Sequence, residues 1–402
     1  MNIKEMVKDF RLRAMEAEKA SDRMALKESY AESKRILREA ITKHNIDCKG
    51  FSFRKLFMEC FGSHELTHAI HMNEVDFTSL RESAGAVSTA AFQNIAGQFA
   101  YGMVLEKYQA PEFVVTKSIP VRQGNVPGLE KIPGITEIGD ESGEVGEGQN
   151  YPLAGVGENW IYFSEPKKKG MIVPLTKEAI FYDKTGQLVK MASDVGYNFG
   201  KMIEKAAVDC VIDENVTTHR HNWKGTISAT YNASSPWANL VTSNALVDWT
   251  DIEAANEKLR TGTDPFTGEP ILFPPTHLYA PSALEWTAAH ILAASTVMRT
   301  TPGFATSANP NQNEAPNPVL RLGLTLVSTP YINFRQATDT SWYLANSSRA
   351  WVRNEHWPMD VQQSAANSQD EFDADIVMKF KVNGKMKYET VEPRAAVKST
   401  VA

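Results

Sequence analysis

The stretch from Tyr162 to Asp213 constrains this chain more than any other. Its second half places Leu188, Met191, Ala192, Val195, Phe199, Met202, Ile203, Ala206 and Cys210 at three- and four-residue steps, the stripe of one amphipathic helix face. The pattern predicts a helix from Gln187 to Ile212, about 40 Å long at roughly 1.5 Å rise per residue. Gly196 and Gly200 lie inside it. Each costs about 1 kcal/mol against alanine, so both are expected where another backbone packs close to the helix. Just upstream, Met171, Ile172, Val173 and Leu175 read as a strand, and Lys184-Thr185-Gly186 breaks the chain between the two. A one-sided rod of this length needs a flat apolar surface to lie on, which points to a sheet.

The chain has 402 residues, enough for two or three domains, and its 42% hydrophobic and 22% charged content is that of an ordinary globular protein. The net charge of −6 argues against a surface built to grip nucleic acid, which is usually basic. No apolar run is long enough to span a bilayer, so no membrane partner is expected. The opening MNIKEMVKDFRLRAM lacks the apolar core of a secretory signal. The cysteines, Cys48, Cys60 and Cys210, are odd in number and lack metal-like spacing, which suits a reducing cytoplasm.

Residues 3–43 are charged and helical in tone, with a narrow apolar stripe at Met6, Val7, Phe10 and Ala14, and read as an accessory helix. His64-Glu65-Leu66-Thr67-His68 matches the H-E-x-x-H signature, in which His64 and His68 would hold zinc and Glu65 would act as general base. The context opposes that reading. Gly62 precedes the motif and Asn73 follows it, so the helix would be short, and none of His71, Glu74 or Glu82 stands on a clear third-ligand helix. No cofactor and no metal are predicted, and no catalytic residue. His219 and His221 beside Trp223 read as loop residues.

Asp76 to Tyr108 reads as a helix, and Phe113 to Val121 as a strand. Gln123 to Gly157 is rich in glycine, proline and acid. Its carboxylates, Asp140, Glu141, Glu144 and Glu147, lack the alternation of a calcium loop, and Gly155-x-Gly157 lacks the final glycine of a nucleotide loop. The simpler account is a two-stranded excursion, Gly134–Ile138 outward and Trp160–Phe163 returning. Such an excursion has no core of its own and needs a neighbouring subunit to lie against. Asp140, Glu141, Glu144, Glu147 and Trp160, with the lysine run Lys167, Lys168 and Lys169, are the candidate inter-subunit contacts.

Thr217 to Trp249 reads as irregular. Thr250-Asp251-Ile252-Glu253 and Ser282-Ala283-Leu284-Glu285 are capping boxes that open helices to about Arg260 and Ala294. A strand ends at Tyr279, Met298 to Pro318 is a polar loop, and strands follow at Leu322–Ser328, Trp342–Leu344 and Ala350–Arg353. The end of the chain reads as a hairpin turning at Val382-Asn383-Gly384, with Gly384 left-handed, Phe380 opposite Met386 and Met378 opposite Tyr388.

Several stretches in the same order resemble the major capsid proteins of tailed bacteriophages, the Hong Kong 97 fold family. They are Lys167–Leu188, then Asp264-Pro265-Phe266-Thr267-Gly268-Glu269-Pro270-Ile271, Leu278-Tyr279-Ala280-Pro281, Trp342-Tyr343-Leu344, Pro358-Met359-Asp360-Val361 and Phe372-Asp373-Ala374-Asp375. The likeness covers roughly Asp76 to the end. It implies an α+β fold with an N-terminal arm, an extended hairpin loop, a peripheral domain carrying a long spine helix, and an axial domain. Residues 1–75 would be an arm or scaffold-like extension, 76–133 the N-arm and start of the peripheral domain, and 134–166 the extended loop. Residues 167–216 would be the peripheral domain with its spine, 217–356 the axial domain and 357–402 the returning peripheral strands. The implied role is structural. Copies would assemble through hexamers and pentamers into an icosahedral head enclosing double-stranded DNA without sequence-specific binding, with portal and scaffold or cement proteins as partners. The protein would be located in the virion after assembly in the host cytoplasm. Some members crosslink a loop lysine to an asparagine, but no partner pattern here supports that. Two other readings stand beside this one: an encapsulin-like nanocompartment shell of the same fold, and the zinc metalloprotease of His64, Glu65 and His68.

Overall fold

A computed structural model of the chain describes residues 102–123, 130–133, 145, 147, 149–151, 160–163, 166–176, 187–213, 220–223, 226–234, 237–263, 268, 270–300, 312–336, 338–364 and 376–401. The expected N-terminal extension, the helix upstream of residue 102, the outgoing Gly134–Ile138 strand and the H-E-x-x-H motif lie outside these residues. The described residues open with helical residues 102–108, then α1 (Val114–Ser118), β1 (Val121–Gln123), β2 (Glu130–Pro133), β3 (Trp160–Phe163), β4 (Lys168–Thr176) and α2 (Gln187–Ile212). There follow β5 (Arg220–Trp223), β6 (Thr226–Ala229), β7 (Leu240–Val241), α3 (Trp249–Arg260), β8 (His277–Ala280) and α4 (Glu285–Ala293). The last part holds β9 (Thr296–Thr300), β10 (Gln312–Pro316), β11 (Thr325–Ser328), α5 (Pro330–Arg335), β12 (Trp342–Ala345), α6 (Ser347–Ala350), β13 (Trp351–Gln363), β14 (Ile376–Thr390) and β15 (Ala396–Ser399). The result is an α+β protein whose residues cluster into two compact units. One takes 168–201 and 359–384 with the chain up to Ala110; the other takes 111–167, 202–358 and 385–402.

The larger unit is built on a five-stranded sheet in the order β11-β8-β12-β15-β7. Its central strands are antiparallel, and its two flanking pairs, β11 with β8 and β15 with β7, are parallel. Alternation sorts its side chains. Leu278, Ala280, Trp342, Leu344 and Val397 point to one face and form a core with Ile252, Ala255 and Leu259 of α3 and Ala288 and Ile291 of α4. Tyr279, Tyr343 and Lys398 point to the other. There the Tyr279 ring meets Trp351 edge-on at 5.4 Å, and the Lys398 ammonium lies over the rings of Tyr343 and Tyr231. Both faces are covered, which is why every residue of β12 is buried.

In the smaller unit, residues 187–201 of α2 pack against the helical stretch 102–108, with the Tyr108 and Phe199 rings 6.1 Å apart. The helix has the expected bounds, but its buried side is rotated from the expected stripe. Val195, Gly196, Phe199, Gly200, Ile203 and Ala207 are buried, whereas Met191, expected on the stripe, is 48% exposed. The glycines define the buried side because only there can a second backbone approach. A Cβ on Gly196 would stand 2.8 Å from the Cα of Val104 and 2.9 Å from its carbonyl carbon.

Other expectations are corrected. Phe113 to Val121 is not one strand: Val114–Ser118 is a helical turn and only Val121 onward is extended. The returning strand Trp160–Phe163 is present, but its antiparallel partner is Glu130–Pro133. Met298 to Pro318 is not simply a loop, since β9 and β10 pair antiparallel from Thr296 opposite Pro316 to Thr300 opposite Gln312. Within Thr217–Trp249, expected to be irregular, β5 and β6 pair antiparallel. The strand expected at Leu322 begins at Thr325, after a 3-10 turn over Pro318–Leu322. The cap of α3 is Asp248 with Asp251, two residues before the expected box. Ser282 caps nothing: it begins a 3-10 turn, and its N–H donates to Asn333 Oδ1 (2.6 Å).

The expected C-terminal hairpin is also overturned. Ile376–Thr390 is one continuous strand, an interior strand between β13 and β4. Gly384 is not left-handed; among the described glycines only Gly268 and Gly323 are. The pairing that wins is long-range. The Ser364 N–H donates to the Lys379 carbonyl (2.9 Å), and Val382 and Asn383 back onto Gly170 of β4. An interior strand has partners for its backbone groups on both edges, whereas a local reversal at Asn383 would supply one.

Candidate assembly surface and its anchor

The β2–β3 pair is the described base of the excursion, with Glu130 opposite Phe163 and Pro133 opposite Trp160, and β3 lies against β5. Upstream of that base, the short segment 111–123 is fastened to the larger unit at several points. Phe113, Val115 and Ile119 are buried. The amides of Val115 and Thr116 donate to the two carboxylate oxygens of Glu204 on α2, at 2.9 Å and 2.8 Å. Glu204 is 0% exposed. A buried carboxylate is tolerated when its oxygens are satisfied, and here each takes one backbone N–H. The Ser118 hydroxyl donates to the Val115 carbonyl (2.8 Å), so the Tyr279 hydroxyl, 2.8 Å away, donates to Ser118. Ser347 Oγ donates to the Ser118 carbonyl, and the Arg353 N–H to the Pro120 carbonyl (2.9 Å). β1 then runs parallel to β13, Val121 opposite Arg353 and Gln123 opposite Glu355.

Lys167, Lys168 and Lys169 are exposed where the chain enters β4, and Glu147 is exposed. Trp160 is the first residue of β3. Asp140, Glu141 and Glu144 lie outside the described residues, as do His64, Glu65 and His68. Among the described residues no cluster of His, Cys, Asp or Glu could hold a metal ion. His221 stands in β5 opposite Ser228, not in a loop. Gly200 is buried beside Gly196 in sequence and on the same side of α2.

The sequence reading missed Glu204, Asp213 and Lys398. Glu204 follows Gly196 and Gly200 at four-residue steps, so its spacing placed it on the glycine side, but its charge spoke for solvent. Asp213 ends α2 with a left-handed backbone, φ 40°. Burial drives its carboxyl up from 3.8 to about 6, opposed by hydrogen bonds from Thr230 and by the Lys398 charge. Burial likewise pushes the Cys210 thiol and the Tyr231 phenol well up, and Tyr279 to about 12. The Tyr231 hydroxyl donates to the Val211 carbonyl (2.7 Å). Asp213 with Thr230, and Tyr231 with the Val211 carbonyl, tie the end of α2 to the 230–231 segment.

Comparison with known proteins gives the class. A model of the phage capsid protein family matches residues 164–399, from the lysine run through α2 to the last strand. The chain belongs to the phage capsid protein family, as its resemblance to tailed-phage head proteins implied. It is a structural component of the virion shell, a major capsid protein. No similar sequence is found among curated proteins. Similar solved structures include the capsid of Cyanophage P-SCSP1u, 11% identical with a TM-score of 0.45 over 71% of this chain and 86% of that one. The capsid of a native GTA particle is 11% identical with a TM-score of 0.46 over 73% and 91%. A virus-like particle from Pyrococcus furiosus is 13% identical with a TM-score of 0.41 over 75% and 98%.

Proposed function

We propose that this chain builds the icosahedral head of a tailed bacteriophage on the Hong Kong 97-type plan, assembling with copies of itself through hexamers and pentamers, without enzymatic activity. The family match over residues 164–399 carries the reading, because it includes the long helix, the core sheet and the closing strands in one span. In this reading α2 is the spine, 217–356 the axial domain, 167–216 and 357–402 the peripheral domain, and 134–166 the loop laid over a neighbour. Residues 76–133 are the N-arm and the start of the peripheral domain, and 1–75 an arm or scaffold-like extension. Asp140, Glu141, Glu144, Glu147, Trp160 and Lys167–Lys169 contact the adjacent subunit, and Gly196 and Gly200 give α2 its close packing. Assembly takes place in the host cytoplasm, with portal and scaffold or cement proteins as partners. The shell encloses double-stranded DNA without reading its sequence, in keeping with a net charge of −6.

The test is negative-stain electron microscopy of the full chain expressed alone, with mass spectrometry and metal analysis of the same sample. Closed shells, pentamers or hexamers are expected, and the mass reports whether residues 1–75 are retained. A monomer at high concentration across salt and pH opposes the reading. A monomer with one zinc per chain would return attention to His64, Glu65 and His68.

A further inference from the structure

We infer that Glu204 is a positioning residue for shell assembly: by holding the backbone of residues 115 and 116, it helps to fix β1 and so bounds where the β2–β3 pair can start. The inference rests on the shell reading. Glu204, segment 111–123 and the excursion base all belong to the larger unit. Three observations carry it. The carboxylate spends both oxygens on two consecutive amides nearly ninety residues earlier, at 2.9 Å and 2.8 Å. The segment so held is fastened again at Ser118 by Tyr279 and Ser347, at Pro120 by Arg353 and along β1 by β13. The strand that leaves for the excursion, β2, begins seven residues after β1 ends. A seven-residue step spans at most about 25 Å fully extended, so the place of β1 bounds where β2 can start. Anchoring of this density is more than a peripheral turn needs, since the buried side chains of Phe113, Val115 and Ile119 already fix it in depth. The hydrogen bonds add orientation, which an assembly contact requires and apolar burial does not give.

The experiment compares the full-length wild type with Glu204→Gln and with Ile252→Val. Glutamine keeps the shape, but one arm becomes an NH₂ turned on an amide N–H. Ile252→Val lowers stability in the α3 core and leaves the anchor untouched. Circular dichroism and thermal melts establish folding, electron microscopy and sedimentation count closed particles, and limited trypsin digestion reads access after Lys117 and Arg122. Expected are native-like spectra for both variants, at least tenfold fewer closed particles for Glu204→Gln, and faster cleavage after Lys117 or Arg122 in that variant alone. Ile252→Val should assemble as wild type. Wild-type particle yield from Glu204→Gln, or an equal loss from Ile252→Val, overturns the positioning role while leaving the shell reading intact. Failure of the wild type to form particles removes the shell reading and this inference with it. If Glu204→Gln does not fold, Ser347→Ala decides, because it loosens Ser118 without touching the buried carboxylate; normal assembly of Ser347→Ala then counts against the inference.

Discussion

Asp213 is 6% exposed, and its Oδ1 meets no hydrogen-bond donor among the described residues. Its raised value, about 6 against 3.8, has a definite sign for stability. Between pH 4 and 6 the folded chain keeps the proton and the unfolded chain has released it, so the folded state binds more protons and stability falls as pH rises. Above pH 6 both states are ionised and the folded state carries the full cost, on the order of 3 kcal/mol for two pH units. Asn at this position removes the charge and also tolerates the left-handed backbone better. Asp213→Asn is expected to raise the urea midpoint at pH 8, with an advantage over wild type that shrinks toward pH 4. Parallel stability curves for the two proteins across that range would show that the carboxyl carries no such cost. Cys210 makes a second case at this scale. Burial raises its thiol well above 9.0, so at neutral pH it is a neutral group without solvent access. Peptide mapping after alkylation should find it unmodified in native protein and modified in denaturant.

Among the elements, α2 tests the close-packing argument because two effects there oppose each other. Gly196→Ala gains about 1 kcal/mol of helix propensity. It also places a methyl group 2.8 Å from the Val104 Cα, in contact with backbone that cannot swing aside. Overpacking of this kind costs about 1–3 kcal/mol, so a net loss is expected in chemical denaturation, and a net gain would mean the helices separate at little cost. At α3, Asp248→Ala should cost about 1 kcal/mol through loss of the cap, while Glu253→Ala on the exposed side should stay within about 0.5 kcal/mol. Melting temperatures of the pair distinguish the observed cap from the one expected at Thr250. These elements also explain what could be read in advance. The bounds of α2 were legible because its periodicity is sustained over 26 residues. The side it buries was less legible, because close backbone contact favours glycine and a satisfied Glu204, neither of which registers as apolar. The cap of α3 was misplaced because Asp248-x-x-Asp251 and Thr250-x-x-Glu253 are near-equivalent strings, and the hydrogen bonds from Thr250 N–H to Asp248 Oδ1 (2.7 Å) and from Asp248 N–H to Asp251 Oδ2 (2.8 Å) choose between them. The strand β14 was read as a hairpin because Asn383-Gly384 is a strong local signal, and its distant partners β13 and β4 leave no mark in the local sequence.

For the molecule as a whole, assembly and stability are linked. Any partner that binds only the folded subunit stabilises it by RT ln(1 + [L]/Kd), which is about 2.7 kcal/mol when the partner is at a hundred times Kd. In a shell the partner is another copy, so the stabilisation grows with the protein's own concentration until shells form. Melts of dissociated subunits at increasing concentration should therefore move upward, and intact shells should melt several degrees above them. The Glu204→Gln variant separates the two contributions: its dissociated subunits should melt somewhat below the wild-type subunits, because a buried N–H loses its acceptor, while the additional rise on concentrating should be lost. A wild-type melting temperature that does not depend on concentration over two orders of magnitude, and is the same for particles and subunits, would mean that subunit contacts add no stability. In that case the excursion would gain nothing from lying on a neighbour, and the physical reason for assigning it to an interface would be gone.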